Sequence, residues 1–254
     1  MRGKAQIYIA GLLTWIAGFV DAVGFLAIGG IYTANMSGNS VAIGIHGWEQ
    51  NWIETARRAW PVAIYVLGLL SARILLEIAG RERVRSVAAI AFGIEIAALA
   101  PATFAHALSK SEMQSPLAFG LIALLAFAMG IQNATLTHFS SLTLHTGFVT
   151  GTLLKMAEQF VKYLTWSFDQ LRQEHVTVGR LLRSTGSQQD FQRAALLGSM
   201  WTAYVVGAVC GSAGKTMIGL QSLFTPIVLL LFMALYDLRQ PIAAKDEKEQ
   251  LQLP

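Results

Sequence analysis

Long apolar runs are the feature that most constrains the fold of this chain. A helix needs about 20 residues to cross the hydrocarbon core of a bilayer. Six apolar runs of suitable length can be read, at 6–30, 59–79, 86–108, 117–138, 194–213 and 217–236. Charged residues make up 13% of the chain, against about 25% in an average soluble domain. The sequence therefore predicts an all-α, polytopic membrane protein with about six transmembrane helices, whose main partner is the lipid bilayer.

Charge and cysteine content exclude several classes of protein. Most Lys and Arg lie between the apolar runs, where the positive-inside bias places them, so the net charge of +4 does not indicate nucleic-acid binding. The single cysteine, Cys210, lies in an apolar run, which leaves no disulfide and no CxxC metal pattern. We predict no metal and no cofactor. The start of the chain resembles a secretory signal, but Asp21 interrupts it, so we predict an uncleaved first span.

Catalytic sequence patterns are sparse. Neither GxSxG nor HExxH occurs in the chain, and no glycine-rich loop of the phosphate-binding type is present. We therefore predict that the protein is not an enzyme. An intramembrane hydrolase, with Ser140 or Ser141 as nucleophile and His138 or His145 as base, remains an alternative.

The chain contains an internal repeat, which is a strong indicator of architecture. Three segments of the first half match three of the second: GFVDA at 18–22 with GIQNA at 130–134, TANMSG at 33–38 with TGFVTG at 146–151, and YVLGLLSARILLEIAG at 65–80 with YVVGAVCGSAGKTMIG at 204–219. The matches predict a single integral membrane domain, 1–254, made of repeat one at 5–108 and repeat two at 117–240. The polar, basic stretch at 165–190 is predicted to be a loop insertion or an interfacial helix.

Each repeat has a short apolar segment that overlaps or follows a polar break. In the first repeat the break is TANMSGNS at 33–40. The length of the short apolar segment bears on the topology. Residues 37–46 provide about 15 Å of helix, half of the roughly 30 Å of hydrocarbon. Such a half-helix enters and stops or returns, so each repeat crosses three times and the second is inserted upside down, as in many secondary transporters. Both termini would then be cytoplasmic. Loop charges fit equally well an alternative in which 37–46 and 150–164 cross fully and the repeats are parallel.

Three carboxylates lie inside predicted spans, where ionisable groups are costly and indicate function. Glu77 is four residues from Arg73 on the same helix face and can pair with it, so we interpret these two residues as structural. Asp21, in the first span, is a candidate for binding a solute or a coupling proton. Asn133 occupies the matching position in the second repeat. Glu95, in the third span, is the other candidate for proton coupling, with a neutral interhelical hydrogen bond as the alternative.

The polar breaks cannot face lipid, so they line a cavity or contact protein. We predict Ser37 as the N-cap of the short helix, whose positive end attracts an anion or a polar group. Helix packing by small residues is the alternative. The predicted substrate-binding residues are Asp21, Thr33, Asn35, Ser37, Gly38, Asn39, Gln132, Asn133, Thr146, Thr150 and Gly151.

Two further pairs follow from spacing. Gly207 and Gly211 form a GxxxG pattern, which predicts close contact with another helix. Tyr65 and Tyr204 match across the repeat, and their role stays open between packing and lining a site.

The segments GFVDAVGFL, YTANMSGNSVAIG, GIQNA and TGFVTGTL, in this order, resemble the YoaK family of bacterial inner-membrane proteins, a family of unknown function. The resemblance covers nearly the whole chain. It implies a bacterial plasma-membrane location and a multi-span fold, and it supplies no substrate or activity. The chain departs from the family's NxTGN pattern by having Ser37 in place of threonine, an exchange that keeps the hydroxyl group.

These observations lead to one functional hypothesis and one alternative. The hypothesis is a secondary transporter or channel-like carrier of a small polar or anionic solute, with Asp21 as a candidate for coupling to protons. The alternative is a non-transporting membrane scaffold or accessory protein, in which the polar breaks only organise helix packing. Assembly as a homo-oligomer is left open.

Overall fold

The computed structural model describes residues 2–105, 115–139, 149–172, 179 and 184–241. Within these residues the chain is helical and has no strand, which confirms the predicted all-α class. The helices are α1 (Arg2–Ala27), α2 (Met36–Trp48), α3 (Trp52–Arg81), α4 (Val87–Thr103), α5 (Pro116–Phe139), α6 (Val149–Leu171), α7 (Gln189–Ile218) and α8 (Phe224–Arg239), with a 3₁₀ turn at Gly219–Leu223.

Among the described residues, four helical stretches are long and apolar enough to cross a membrane: Ala5–Ala27, Trp52–Arg81, Pro116–His138 and Gln189–Arg239. The last has 51 residues and contains both α7 and α8. Helix α4 is a shorter apolar helix of 17 residues. Each of the six predicted runs therefore falls on a helix, and the chain is a multi-pass helical membrane protein.

Helix α1 packs closely along α7. A Cβ atom on Gly207 would lie 2.0 Å from the carbonyl oxygen of Trp15, and one on Gly211 would lie 2.4 Å from that of Phe19. Only glycine lets two helix backbones approach so closely, which confirms the predicted role of the GxxxG pattern. Both contacts advance by four residues along each helix, so α1 and α7 run in the same direction.

Helix α3 packs along α5 in the same manner. A Cβ atom on Gly68 would lie 2.4 Å from the carbonyl oxygen of Phe127. Eight residues earlier on each helix, the indole N–H of Trp60 donates to the carbonyl oxygen of Phe119 at 3.0 Å. Helices α3 and α5 therefore also run in the same direction.

Contacts at helix ends give the directions of the other helices. Arg57 Nη2 donates to the carbonyl oxygen of Ile28 at 2.6 Å, so α3 begins where α1 ends. A short turn joins α3 to α4. The N–H of Ala89 donates to Asp237 Oδ2 at 2.9 Å, so α4 begins where α8 ends. Helices α1, α4 and α7 thus run in one direction, and α3, α5 and α8 run in the other.

The two helices that follow the polar breaks differ in length. Helix α2 has 13 residues, about 20 Å at 1.5 Å per residue, which is less than a bilayer crossing. Helix α6 starts at Val149, the match of Met36, but has 23 residues. It continues past the predicted short segment at 150–164 and into the stretch at 165–190, because Leu164, Phe168 and Leu171 keep an apolar stripe at helical spacing.

One ion pair differs from the spacing-based prediction. Arg73 and Glu77 share a helix face, which predicts a pair between them. Instead, Glu77 pairs with Arg81 at 3.0 Å, and Arg73 donates to Thr137 Oγ1 on α5 at 3.0 Å. The reason is orientation, because an acidic residue on the N-terminal side of its basic partner is the more favourable arrangement on a helix.

Candidate functional site

The side chain of Asp21 lies at the centre of the first polar cluster and is 3% exposed. Its Oδ1 atom accepts hydrogen bonds from the backbone N–H of Thr33 at 2.6 Å, from that of Ala34 at 2.8 Å and from Thr33 Oγ1 at 3.3 Å. Its Oδ2 atom accepts one from the hydroxyl of Tyr204 at 2.6 Å. The carboxylate therefore joins α1, the break after it, and α7.

The break brings its donors to Asp21 by reversing direction. Gly29 and Gly30 have φ values of +67° and +78°, which glycine adopts readily and other residues rarely do. The chain turns back after α1, so that Thr33 and Ala34 lie beside a residue about one and a half turns before the end of that helix. Helix α2 then starts at Met36, next to the cluster.

Two arginines of α3 donate hydrogen bonds to backbone carbonyl groups between α1 and the break. Arg57 is buried, and it pairs with Glu54 at 3.3 Å in addition to its bond with Ile28. Arg58 donates to the carbonyl oxygen of Gly30. Basic groups are favourable beside the free carbonyls that end a helix. The arginines therefore fix the end of α1 and the position of the break.

Asn39 and Gly38 also hold the break in place. Asn39 is fully buried; its Oδ1 accepts the N–H of Tyr32 at 3.2 Å, and its Nδ2 donates to the carbonyl oxygen of Tyr32 at 2.7 Å. Gly38 lies under the ring of Tyr32, and a Cβ atom there would be 2.9 Å from the ring. In this conformation both residues act on the shape of the break.

Ser37 is not the N-cap of α2, contrary to the prediction. The helix begins at Met36, and Asn35 is the cap residue, without a capping hydrogen bond from its side chain. Asparagine is as favourable as serine at this position, so the helix starts earlier. The Ser37 hydroxyl instead donates to Asn35 Oδ1 at 2.7 Å.

A second pair corresponds to Asp21 and Tyr204, and each of the two pairs joins one residue of repeat one to one residue of repeat two. Asn133 Nδ2, on α5, donates to the hydroxyl of Tyr65, on α3, at 2.6 Å. Both residues of each pair occupy matching repeat positions, and all but Tyr204 are at most 6% exposed. The two tyrosines therefore belong to the polar clusters. The polarity is reversed between the pairs, since the carboxylate accepts whereas the amide donates.

The glycines beside these pairs match in the same way. A Cβ atom on Gly18 would lie 2.0 Å from the carbonyl oxygen of Tyr204, and one on Gly130 would lie 2.3 Å from that of Tyr65. Each glycine is one helical turn before the polar residue on its own helix. Backbone contact thus sets the distance at which each tyrosine reaches its partner.

The remaining predicted residues lie in several places. Gln132 is buried on α5, and its Nε2 donates to the carbonyl oxygen of Leu13 on α1. Its Oε1 has no hydrogen-bond partner in the described part of the chain. Thr150 and Gly151 lie in the first turn of α6. Thr146 lies outside the described residues, as do Ser140, Ser141 and His145 of the hydrolase alternative.

Glu95 lies in α4 and is hydrogen-bonded to neither pair. Its side chain is fully buried, and neither carboxylate oxygen has a hydrogen-bond partner among the residues that the structure describes. Those residues also contain no group of three or more His, Cys, Asp or Glu side chains that could hold a metal ion.

Sequence reasoning missed one buried carboxylate, that of Asp237. It is fully buried, and it accepts the N–H of Ala89 in the first turn of α4. The last predicted apolar run ends at residue 236, so Asp237 lies just outside the predicted span. An acidic residue directly at the end of an apolar run is the signal that could have identified it.

Comparisons with known proteins agree with a membrane location. A family model described as "Protein of unknown function (DUF1275)" matches residues 9–236. The chain is also similar to the UPF0700 transmembrane protein YoaK of Bacillus subtilis (strain 168), with 27% identity over 147 residues. This match covers 58% of the chain and 64% of the relative, so the chain spans just under two thirds of the relative's length. No solved structure matches the chain.

Proposed function

The chain belongs to the DUF1275 family of proteins of unknown function, and on this premise we propose that it is a secondary transporter or channel-like carrier of a small polar or anionic solute. The observation that carries the proposal is the pair of matching polar clusters, Asp21 with Tyr204 and Asn133 with Tyr65. Polar and ionisable groups inside spans are costly and are typical of solute pathways.

The proposal includes an inverted relation between the two repeats. The directions derived above are opposite for each matching pair of helices: α1 and α5, α3 and α7, α4 and α8. The exchanged packing, α1 on α7 and α3 on α5, supports the same relation. Inverted repeats of this kind give transporters two related conformations, open to opposite sides. In this arrangement both termini are cytoplasmic and the protein lies in the bacterial plasma membrane.

The hydrogen-bonding groups favour a particular class of solute. The backbone N–H groups of Thr33 and Ala34 bind the Asp21 carboxylate, so this part of the protein accommodates an anionic oxygen. The Asn133 amide and the Tyr65 hydroxyl offer neutral donors and acceptors. This combination suits a small solute that carries an anionic group, or several polar groups, over a hydrophobic one.

The proposal is tested by reconstituting the full chain into liposomes and measuring uptake of a panel of small organic anions, amino acids and polyols. We expect the protein to move at least one class. Asp21→Asn should lower the initial rate by about tenfold or more, because a hydrogen bond to a charged group is worth about 1.5–3 kcal/mol. Thr14→Ser, on the same helix, is the matched control. The Thr14 hydroxyl donates to the carbonyl oxygen of Ala10 within α1, and the substitution to serine keeps this hydroxyl group.

Thermal stability measured on the same samples separates the proposal from the scaffold alternative. A transporter predicts that Asp21→Asn loses flux while a folded population remains. The scaffold alternative predicts that the unsubstituted protein moves no member of the panel and that Asp21→Asn changes only stability or assembly. That second pattern would refute the proposed function.

A further inference from the structure

The two carboxylates that the sequence nominates for proton coupling have opposite surroundings. Asp21 accepts bonds from four donors, distributed over both of its oxygens. Glu95 is equally buried, but neither of its oxygens has a partner within the described ranges. Only one of the two environments compensates a negative charge.

The hydrogen bonds that Asp21 accepts disfavour its protonation. Its Oδ1 atom receives two backbone N–H groups, which cannot act as acceptors. A proton would have to occupy Oδ2 and reverse the bond with Tyr204. The cluster is complete with Asp21 as an anion, and it fixes the break and α7 to α1.

An ionised Glu95 would be strongly destabilised in this conformation. A buried charge without hydrogen bonds or an opposite charge is so costly that the group takes the neutral form instead. A neutral carboxylic acid needs far less compensation. The geometry of the described residues therefore favours the carboxylic acid form of Glu95.

No neighbouring charge changes this conclusion. Helix α4 packs against α3, α5, α8 and the 3₁₀ turn. Among the described charged or titratable groups of those elements, three are buried, namely Arg57, Tyr65 and Asp237. Glu54 and Arg58 are partly buried, and the others are exposed: Arg73, Glu77, Arg81, His138, Tyr236 and Arg239. Arg57 bonds Glu54 and Ile28, and Tyr65 bonds Asn133. Asp237 bonds Ala89, six residues before Glu95 and therefore about 9 Å away along the helix. None of these groups is bonded to Glu95.

We propose that Glu95, rather than Asp21, takes up and releases the coupling proton of the transport cycle, an inference that rests on the proposed function. In the conformation described here Glu95 holds the proton as a carboxylic acid. In the conformation in which water reaches α4 from one side, Glu95 transfers that proton to water and becomes a carboxylate. Uptake from the other side restores the acid. Asp21 remains an anion that positions the break.

Infrared spectroscopy of the full chain in lipid tests the protonation state directly, with the proton as the probe. At neutral pH we expect the C=O absorption of a protonated carboxyl group, shifted by labelling glutamate with ¹³C and unchanged by labelling aspartate. The absorption should be lost in Glu95→Gln and kept in Glu77→Gln, the exposed control on α3. Absence of the absorption, or its shift with labelled aspartate, would overturn the proposal. The isotope labels require no substitution, so a folding defect does not affect them.

Flux measurements on the same liposomes test the coupling. With a pH-sensitive dye inside, Glu95→Gln should still exchange a panel solute but should lose the proton movement that accompanies it. If Glu95→Gln moves solute and protons as the unsubstituted protein does, this inference is wrong and the transporter proposal stands. If the unsubstituted protein moves no solute, the proposed function fails instead, whatever the infrared result.

Discussion

The two tyrosine pairs have the same geometry but different chemistry. Tyr204 donates to a carboxylate and Tyr65 accepts from an amide, both at 2.6 Å. In membrane proteins an interhelical hydrogen bond contributes about 0.6 kcal/mol on average, whereas one to a charged group is worth about 1.5–3 kcal/mol. The pair of Asp21 and Tyr204 should therefore contribute more to stability than the pair of Asn133 and Tyr65.

This difference predicts unequal effects of two identical substitutions. Tyr204→Phe should lower the free energy of unfolding by about 1.5–3 kcal/mol, because Asp21 loses its partner at Oδ2. Tyr65→Phe should lower it by about 0.6 kcal/mol and serves as the matched control. Denaturant titration in mixed micelles measures both. Equal losses would mean that the carboxylate is not charged at the site.

At the residue scale, sequence reasoning found the costly groups but not their partners. Asp21 and Glu95 could be identified because a carboxylate in an apolar run is unusual. The bond from Tyr204 joins residues 183 positions apart, a separation over which only the repeat match gave any indication. The sequence predicts Ser37 as the N-cap of α2, whereas the cap is Asn35. Asparagine and serine are about equally good caps, so residue type alone does not distinguish the two positions.

At the scale of helices, backbone contact at glycine positions sets the spacing of the central pairs. Gly18 touches the Tyr204 carbonyl group, and Gly130 touches that of Tyr65. The obstructing atoms belong to the backbone, so a larger residue can be accommodated only if the helices separate. Separation would move each tyrosine away from its polar partner.

We therefore expect Gly18→Ala to destabilise the protein by about 1–3 kcal/mol or more through overpacking, and to abolish flux. Gly11→Ala, on the same helix, is the control, because its Cβ atom would lie 3.7 Å from Met200 Cε, an ordinary contact. That control should be neutral, or stabilising by up to about 1 kcal/mol from helix propensity. Thermal unfolding and uptake in liposomes measure the two effects. A stable, active Gly18→Ala would contradict the described packing of α1 on α7.

The length of a helix can be predicted where the apolar run in the sequence has clear ends. The short helix α2 follows from the few apolar residues between two polar stretches. The extent of α6 does not follow from composition. The overall polarity of the segment at 165–190 predicts a loop or an interfacial helix, whereas the apolar residues at its start continue the stripe of the preceding helix. Average composition hides such a periodic pattern.

For the whole molecule, alternating helix directions place loops on defined sides. The turn between α2 and α3 lies at the end of α1, whereas the turn between α3 and α4 lies at the opposite end of the molecule, with the end of α8. The short length of the segment at 37–46 predicts this arrangement, because it leaves three crossings in each repeat. Loop charges did not, because they fitted parallel repeats equally well.

Labelling from outside intact cells tests the orientation. In a Cys210→Ala background, Glu49→Cys, in the turn after α2, should react with an impermeant thiol reagent. Glu82→Cys, in the turn after α3, should react only after the membrane is opened; both positions are exposed. Reaction of both from one side would exclude the described direction of α3, and the reverse pattern would place the termini outside.

The distance along the chain between Asp21 and Tyr204 also orders events during synthesis. Helix α1 leaves the ribosome long before α7, which lies 183 residues downstream at the bonded positions. Thr33 and Ala34 follow Asp21 by only 12 and 13 residues. The break is thus the first of its bonded partners that the carboxylate can meet during synthesis, and α7 is the last, so the cluster is completed only when α7 has been made.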